Sequence, residues 1–237
     1  MNRTKIEWTE VTWNPTTGCT KISEGCKNCY AEKMAERLRA MGTPKYENGF
    51  DLAMHPNTLS DPYSWKKPKV VFVNSMSDLF HEDVPLPFIK EVFAVMNDNP
   101  KHIFQVLTKR ADILEQYSPI LNWSENIWMG VTVESNRHYS RVDHLRRSGA
   151  FVKFLSCEPL LTSLKEINLF EIDWVIVGGE SGSNARPIKK DWVVELKDMC
   201  EVQDTPFFFK QWGGKNKKKA GSMLDGVYYK NIPMAIK

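Results

Sequence analysis

The sequence predicts an α/β protein built around a parallel sheet. Seven short runs are rich in β-branched and aromatic residues, and polar or glycine-containing turn residues follow them. The runs KVVFV, HIFQVL, FVKFL and DWVIVGG are nearly continuous in hydrophobicity, as is typical of strands buried on both faces. The predicted strands cover residues 10–13, 69–73, 102–107, 126–133, 151–155, 174–177 and 206–209.

Helical patterns lie between the predicted strands. Apolar side chains recur at intervals of three and four residues in four segments, around 31–38, 88–96, 137–148 and 192–200. Pro85 and Pro87 introduce the second helix as first-turn prolines, and Gly149 is expected to end the third. Strand alternating with helix predicts a series of βα units with right-handed crossovers.

The number of these units indicates an incomplete barrel. About six βα units fit in 237 residues, whereas a complete eight-unit barrel has about 250 residues. We therefore expect an α/β fold of one domain, 1–237, formed by a partial (β/α)6 TIM-like barrel of mostly parallel strands. Residues 42–68 contain four prolines without clean periodicity and are expected to form a long loop insertion. Residues from about 206 to 237 are expected to form a C-terminal extension.

Composition excludes several classes of protein. The chain is 42% hydrophobic and 26% charged, which excludes disordered, collagen-like and coiled-coil architectures. The longest apolar runs are far shorter than the roughly 20 residues of a membrane span, and the N-terminus has no apolar signal segment. A cytoplasmic protein with no membrane partner is expected. The net charge of +3 neither requires nor excludes a nucleic-acid partner.

Three of the five cysteines lie within eleven residues, which predicts a metal centre. Cys19, Cys26 and Cys29 form a C-x6-C-x2-C pattern between a predicted strand and a predicted helix. A [4Fe–4S] cluster with three cysteine ligands would keep one iron free for an exchangeable ligand. A structural zinc would instead need a fourth protein ligand, and unliganded thiols are the third alternative. The candidate fourth ligands are His55, His81 and His102.

Seven segments together carry a resemblance to a known superfamily. They are WNPTTGCTKISEGCKNCYAE, VFVNSMSDLFHEDVP, FQVLTKR, GVTVES, FLSCEPLL, WVIVGGESG and PFFFKQWGG. With them the chain resembles, over nearly its whole length, the radical S-adenosylmethionine (SAM) superfamily. Within it, the chain is more closely similar to a phage- and prophage-associated family of small three-cysteine proteins of unassigned function. SMSD, TKR and the helix SRVDHLRRSG are also distantly similar to the spore photoproduct lyase branch.

The resemblance implies roles for the cysteines and for the end of the second strand. Cys19, Cys26 and Cys29 would hold a [4Fe–4S] cluster, and the amino and carboxylate groups of SAM would bind the open iron. The first cysteine gap is three residues longer than the commonest spacing, and Asn28 stands where an aromatic residue usually precedes the last cysteine. On this resemblance, Tyr30 is expected to replace that aromatic contact with adenine.

Polar residues that follow the later strands are expected to face the same cavity, because βα barrels collect functional groups at the carboxyl ends of their strands. Ser75, Ser77 and Asp78 match the position that binds the SAM amino group, although SMSD could instead simply cap the following turn. Further cofactor-binding candidates are Lys109, Glu134, Gly178 and Gly179. The two glycines would let the backbone approach the adenosine.

Three catalytic candidates also follow strands. Cys157 could return a hydrogen atom, and Glu158 or Glu180 could move a proton. For Cys157 a structural role in the core is the alternative. For each charged residue, the alternative is a solvated loop position.

Basic and aromatic residues suggest a nucleic acid or nucleotide as substrate. The basic candidates are Lys210, Lys215, Lys217, Lys218, Lys219, Arg137, Arg141, Arg146 and Arg147, beside Phe207, Phe208, Phe209 and Trp212. The FFF run could equally be a buried strand, and the lysines a solvated tail.

Two functions of different class follow from these observations. The first is a radical SAM enzyme that cleaves SAM reductively to a 5′-deoxyadenosyl radical, using a one-electron reductant of the flavodoxin or ferredoxin type, and that modifies or repairs nucleic acid. The alternative is a non-catalytic, zinc-stabilised nucleic-acid-binding protein. The polar strand ends favour the enzyme, because a zinc scaffold has no need of them.

Overall fold

A computed structural model describes residues 4–233, without the side chains of residues 217 and 218. In chain order the strands are β1 (Val11–Trp13), β2 (Thr16–Thr17), β3 (Ala53–Met54), β4 (Val70–Val73), β5 (Ile103–Thr108), β6 (Ile127–Thr132), β7 (Val152–Cys157), β8 (Trp174–Gly178), β9 (Phe207–Gln211), β10 (Met223–Leu224) and β11 (Val227–Tyr228). The helices are α1 (Tyr30–Ala40), α2 (Leu86–Asn97), α3 (Ala111–Tyr117), α4 (Ser140–Arg146), α5 (Lys190–Val202) and α6 (Lys217–Ala220).

Seven parallel strands form one curled sheet in the order β1-β4-β5-β6-β7-β8-β9. The order of the strands in the sheet follows their order along the chain, with β2 and β3 outside this sheet. A helix lies between most pairs of neighbouring strands. The predicted α/β partial barrel is therefore confirmed, and each of the seven predicted strands is present. β9 lies within the expected C-terminal extension and pairs in parallel with β8 as the seventh strand of the sheet.

The two faces of the sheet are filled differently. The helix-covered face packs against a large apolar core that includes side chains of α2, α4 and α5. The concave face holds a smaller cluster of mainly aromatic rings, among them Trp8, Trp128 and Trp174. Because side chains alternate along a strand, Thr132 and Gly178 face the concave side near the edge where the parallel strands end. We call this edge the carboxyl rim.

The insertion and the C-terminal segment pack against the barrel. β2 and β3 pair antiparallel, which brings residues 53–54 beside the start of the cysteine loop. At the other side, β10 and β11 form an antiparallel pair. The amide of Phe209 donates to the carbonyl of Tyr229 at 2.9 Å, so the C-terminal segment covers the free edge of β9.

The helices depart from expectation at α4, at α3 and at the short α6, which no helical pattern predicted. The predicted third helix shortens to α4, after a 3-10 turn at Asn136–His138. Gly149 follows α4, where an added Cβ would lie 2.5 Å from Trp123, so its missing side chain makes room for the indole. α3 was not predicted, because its seven residues bury only Ala111 and Leu114 and so show little periodicity.

Within residues 4–233, no helix combines the length and the apolar composition of a membrane span.

Candidate metal centre

The three clustered cysteines lie on one loop at the carboxyl rim, between β2 and α1. All three are partly exposed. Gly18 opens the loop with a φ of +80°, and an added Cβ would lie 2.0 Å from the carbonyl oxygen of Asp51. Its amide donates to the carbonyl of Met76 at 3.0 Å. The loop is therefore held between the insertion and the segment that follows β4.

Within the described residues, the Sγ atoms of Cys19, Cys26 and Cys29 do not all lie within 4.8 Å of one another. A zinc ion with Zn–S bonds of about 2.3 Å would bring its thiolates to about 3.8 Å from each other. In a [4Fe–4S] cluster each thiolate binds a different iron, so three cysteines on one partly exposed loop are a suitable set of ligands.

The histidines named as zinc ligands are engaged elsewhere. His81 accepts a hydrogen bond from the Asp83 amide at Nδ1 (3.1 Å), and its Nε2 lies 3.0 Å from the Thr20 hydroxyl. His55 Nε2 lies 2.8 Å from the Thr17 hydroxyl. His102 directly precedes β5 and therefore lies at the opposite edge of the sheet from the cysteine loop. These positions disfavour the zinc alternative.

Three pairs of a carboxylate and an arginine hold the cysteine loop, each at a different point. The first joins Asp78 to Arg110, which are 6% and 4% exposed. Asp78 also accepts hydrogen bonds from the Thr108 hydroxyl (2.7 Å) and the Phe80 amide (3.1 Å), so it does cap the turn after β4. The Arg110 guanidinium reaches the Cys19 sulfur at 3.4 Å.

The second pair joins Glu134 and Arg141, at 2.7 Å. Glu134 is fully buried and also accepts a hydrogen bond from the Ser23 hydroxyl in the cysteine loop. An added Cβ on Gly25 would lie 2.8 Å from the same carboxylate, so the loop backbone rests directly on it. Burial by itself would raise the pKa of Glu134, but the charges of Lys109 and Arg141 and the Ser23 hydrogen bond hold it below the ordinary value.

The third pair joins Glu180 and Arg186, at 2.5 Å. Glu180 also accepts a hydrogen bond from the Asn28 side chain at 2.9 Å, and Arg186 donates to the Glu24 carbonyl at 2.9 Å. Burial opposes ionisation, but the hydrogen bonds from Arg186 and Asn28 outweigh it and lower the pKa of Glu180 to about 2. Glu180 is therefore a charged anchor of the cysteine loop in this structure.

The electrostatic surroundings of two cysteines differ. Burial, assisted by the charge of Asp78, raises the pKa of Cys19 to about 11, although Arg110 acts in the opposite direction. At Cys26 burial is outweighed by the charge of Lys109 and by hydrogen bonds, so its pKa lies below the ordinary value. Lys109 is therefore the cation whose charge lowers the pKa of Cys26.

The remaining candidates for cofactor binding lie around the same loop. The Ser77 hydroxyl donates to the Gly18 carbonyl at 2.6 Å, and the Ser75 hydroxyl donates to Asn14 at 3.1 Å. The Tyr30 hydroxyl donates to the Ser75 carbonyl, while 54% of the tyrosine is exposed. These contacts bring all three residues to the rim beside the cysteines.

The glycines of the GGESG segment contact protein groups. An added Cβ on Gly178 would lie 2.4 Å from the Glu158 carboxylate, and one on Gly179 would lie 2.1 Å from the Trp212 carbonyl. Glu158 therefore lies across Gly178 on the concave face, where Lys210 pairs with it at 3.0 Å. The Glu158 side chain fills the space beside Gly178, and the Trp212 backbone fills the space beside Gly179.

Cys157 lies apart from the other candidates. It is fully buried in the core between the sheet and the helices, which also contains Leu155 and Cys200. Burial raises the pKa of its thiol well above the ordinary value. The structure does not bring Cys157 to the concave face, and its surroundings are those of the structural alternative.

Four of the nine basic residues suggested for nucleic-acid binding form ion pairs within the chain, Lys210 with Glu158 among them. Arg141 pairs with Glu134, Arg146 with Asp143, and Arg147 with Glu115. The FFF run is buried in β9, as the alternative reading of that run had it. Lys215 and Lys219 are exposed, whereas the side chains of Lys217 and Lys218 lie outside the described part of the chain.

Sequence reasoning missed several residues that hold the loop. Ser23, Arg141 and Arg186 were not assigned to the site, and Asn28 was noted only as a departure from the superfamily pattern. One signal was available. Glu134 and Glu180 each follow a strand, and an arginine comes six or seven residues after each of them.

The fold and the loop define the chain as a parallel half-barrel protein with a candidate metal centre at its carboxyl rim. The chain belongs to the family described as "Protein of unknown function (DUF5131)", which matches residues 3–233. No curated protein matches the sequence.

Solved structures of spore photoproduct lyase have a similar fold. The complex with dinucleoside spore photoproduct aligns with a TM-score of 0.53 and 12% identity, over 83% of this chain and 62% of that one. A double mutant with bound AdoMet and dinucleoside spore photoproduct aligns with a TM-score of 0.52 and 11% identity, over the same shares. The chain thus spans about 62% of the length of these structures. This likeness establishes the fold.

Proposed function

We propose that the protein is a radical SAM enzyme that acts on nucleic acid. The observation that carries the proposal is the cysteine loop itself. Three thiols stand on one loop at the carboxyl rim of a parallel half-barrel, and buried carboxylate–arginine pairs from three different strand ends hold that loop. Burying three carboxylates, two of them with buried arginine partners, to fix one short loop is costly, which favours a loop whose geometry matters for chemistry.

The donor set fits a [4Fe–4S] cluster with one iron left for SAM. Cys19, Cys26 and Cys29 would be the ligands, as the resemblance to the superfamily implies. When bound, the cluster supplies an electron for the reductive cleavage of SAM, received from a flavodoxin or ferredoxin type of reductant. The hydrogen bonds of His81 and His55 support this site over a zinc ion, which would need a fourth protein ligand.

The residues of the chain have distinct tasks in this proposal. Lys109 is half-buried beside Thr132, with its ammonium 3.4 Å from the threonine hydroxyl, and it forms none of the ion pairs found within residues 4–233. It is therefore the cation that would bind the SAM carboxylate. Tyr30, exposed on the rim with its hydroxyl anchored, would cover the adenine. Glu158, held by Lys210, would accept or return a proton at its carboxylate.

Support for a nucleic-acid substrate comes from the structural neighbours. Both of the structures compared above contain dinucleoside spore photoproduct, and one also contains AdoMet. Exposed Lys215 and Lys219 follow β9, on the same side of the sheet as its carboxyl end, where they could bind phosphates. Modification or repair of DNA is the reaction class that these features favour.

Anaerobic reconstitution with iron and sulfide tests the cofactor. We expect about four irons per chain and formation of 5′-deoxyadenosine from SAM in the presence of dithionite. Cys26→Ala should lose both, whereas Cys200→Ala, which removes a buried thiol outside the loop, should keep both. Stoichiometric zinc without SAM cleavage would refute the proposal and favour the zinc-stabilised binding protein.

The substrate class needs a separate measurement. Ultraviolet-irradiated DNA, undamaged DNA and RNA are each added to the reconstituted protein, and the rate of 5′-deoxyadenosine formation is compared. A higher rate with one nucleic acid than with buffer supports the proposed substrate class. Equal rates with all of them would contradict a nucleic-acid substrate while leaving the cofactor assignment intact.

A further inference from the structure

Three arginines pair with carboxylates around the cysteine loop. Of these, Arg110 is the one whose guanidinium contacts a cysteine sulfur. Its Nη1 lies 3.4 Å from Cys19 Sγ and 3.3 Å from Asp78 Oδ2. Its Nε donates to Glu82 at 2.5 Å, and its Nη2 donates to the Thr20 hydroxyl at 2.7 Å. The planar fork of the guanidinium is thus fixed at each of its nitrogens.

This contact has an electrostatic consequence for whatever Cys19 binds. Arg110 is 4% exposed, so little water lies between its charge and the sulfur to screen the attraction. The negative charge of Asp78 is shared with the Thr108 hydroxyl and with the amides of Phe80 and Lys109. Arg110 is the charged side chain that donates a hydrogen bond to the Cys19 sulfur.

We propose that Arg110 is a positioning residue that orients Cys19 and raises the reduction potential of the iron–sulfur cluster. The inference rests on the proposed function, because it needs the cluster. Hydrogen bonds to cluster sulfurs are among the features that set the reduction potential. Reduction adds one negative charge to the cluster, and a cation in contact with a ligand sulfur stabilises the reduced form more than the oxidised form.

The other two arginines provide the matched comparison. Arg186 also pairs with a buried carboxylate and also holds the cysteine loop, through the Glu24 carbonyl, and its hydrogen bonds go to oxygen atoms. Arg186→Gln therefore removes one positive charge and one loop contact without removing a contact to sulfur. Glu82→Gln removes a negative charge from the half-exposed partner of Arg110 and keeps the sulfur contact.

The experiment is a redox titration followed by electron paramagnetic resonance of the reconstituted cluster in the absence of SAM. Arg110→Gln should shift the ratio of reduced to oxidised cluster at a given potential at least about tenfold toward oxidised, or about 59 mV for one electron. Arg110→Lys, which keeps the charge and loses the fork, should shift it in the same direction by less. Arg186→Gln and Glu82→Gln should not lower the potential comparably.

Each outcome decides the proposal. Equal falls in Arg110→Gln and Arg186→Gln would overturn it, because they would show a general charge effect without a role for the sulfur contact. If Arg110→Gln binds no iron, Arg110→Lys decides, and an unshifted potential in that variant overturns the proposal. A wild-type protein without iron and sulfide would refute the proposed function itself, which is a different result from an iron-loaded wild type with unshifted variants.

Discussion

Replacing Gly18 by alanine tests how firmly the cysteine loop depends on its backbone. Gly18 has a φ of +80°, and an alanine Cβ would lie 2.0 Å from the carbonyl oxygen of Asp51. The left-handed conformation costs alanine about 1–2 kcal/mol. Relief of the overlap must separate the insertion from the loop and disturb two hydrogen bonds, from Gly18 N to Met76 O and from Cys19 N to Phe50 O.

These contributions add up to a measurable loss. Each hydrogen bond contributes about 1 kcal/mol, so Gly18→Ala should lower the free energy of unfolding by about 3–4 kcal/mol. Gly42→Ala is the control, because Gly42 has a φ of +69° and no atom within 4 Å of an added Cβ. It should lose only the conformational part, about 1–2 kcal/mol.

Urea unfolding of the two variants and the wild type measures this difference. The same samples, reconstituted with iron and sulfide, should show reduced iron binding in Gly18→Ala and normal binding in Gly42→Ala. Equal losses of stability in both variants would refute the reasoning, because they would show that the close approach to the insertion contributes nothing beyond the backbone conformation.

Three further predictions concern buried and half-buried charges. Glu134→Gln should lower the free energy of unfolding by about 3–5 kcal/mol in urea titrations, because it leaves the Arg141 charge buried without its partner; a loss below 1 kcal/mol would contradict this. Burial, and secondarily the charge of Lys101, lowers the pKa of His102 from its ordinary value of 6.5. The folded state therefore favours the neutral imidazole, and the stability that this contributes is lost as the pH falls below about 6.5. His102→Met should reduce this dependence in unfolding measured from pH 5 to 8, and an unchanged slope would argue against His102 as its source. Lys109→Met should weaken SAM binding by about tenfold or more in equilibrium dialysis, as expected for a lost charged hydrogen bond, with iron content unchanged; wild-type affinity would remove Lys109 from the proposed SAM site.

Much of the fold could be predicted from the sequence because the sheet is buried on both faces. Runs such as VVFV in β4 and WVIVG in β8 are apolar at every position, which marks them without reference to their partners. The length of the chain then limited the barrel to an incomplete one. The seventh strand was assigned to the extension because nothing in FFFKQ tells whether it pairs with β8 or leaves the barrel.

The candidate site was predictable only where residues adjacent in sequence act together. Cys19, Cys26 and Cys29 are recognisable as a group because one loop carries them. The strand-end carboxylates could be named, but their partners could not. Arg110 lies 32 residues from Asp78, and Asn28 lies 152 residues from Glu180.

The sequence by itself determined the seven strands of the main sheet, the class of fold and the identity of the cysteine loop, since each depends on local spacing and burial. Only the tertiary structure decided which side of the sheet Cys157 faces, what fills the space over Gly178, and which arginine touches a cysteine sulfur. These facts depend on the register and curl of seven parallel strands, which bring distant segments of the chain to one rim. A carboxylate at the end of a strand can bind a ligand or anchor a loop, and its neighbours in space determine which of the two it does.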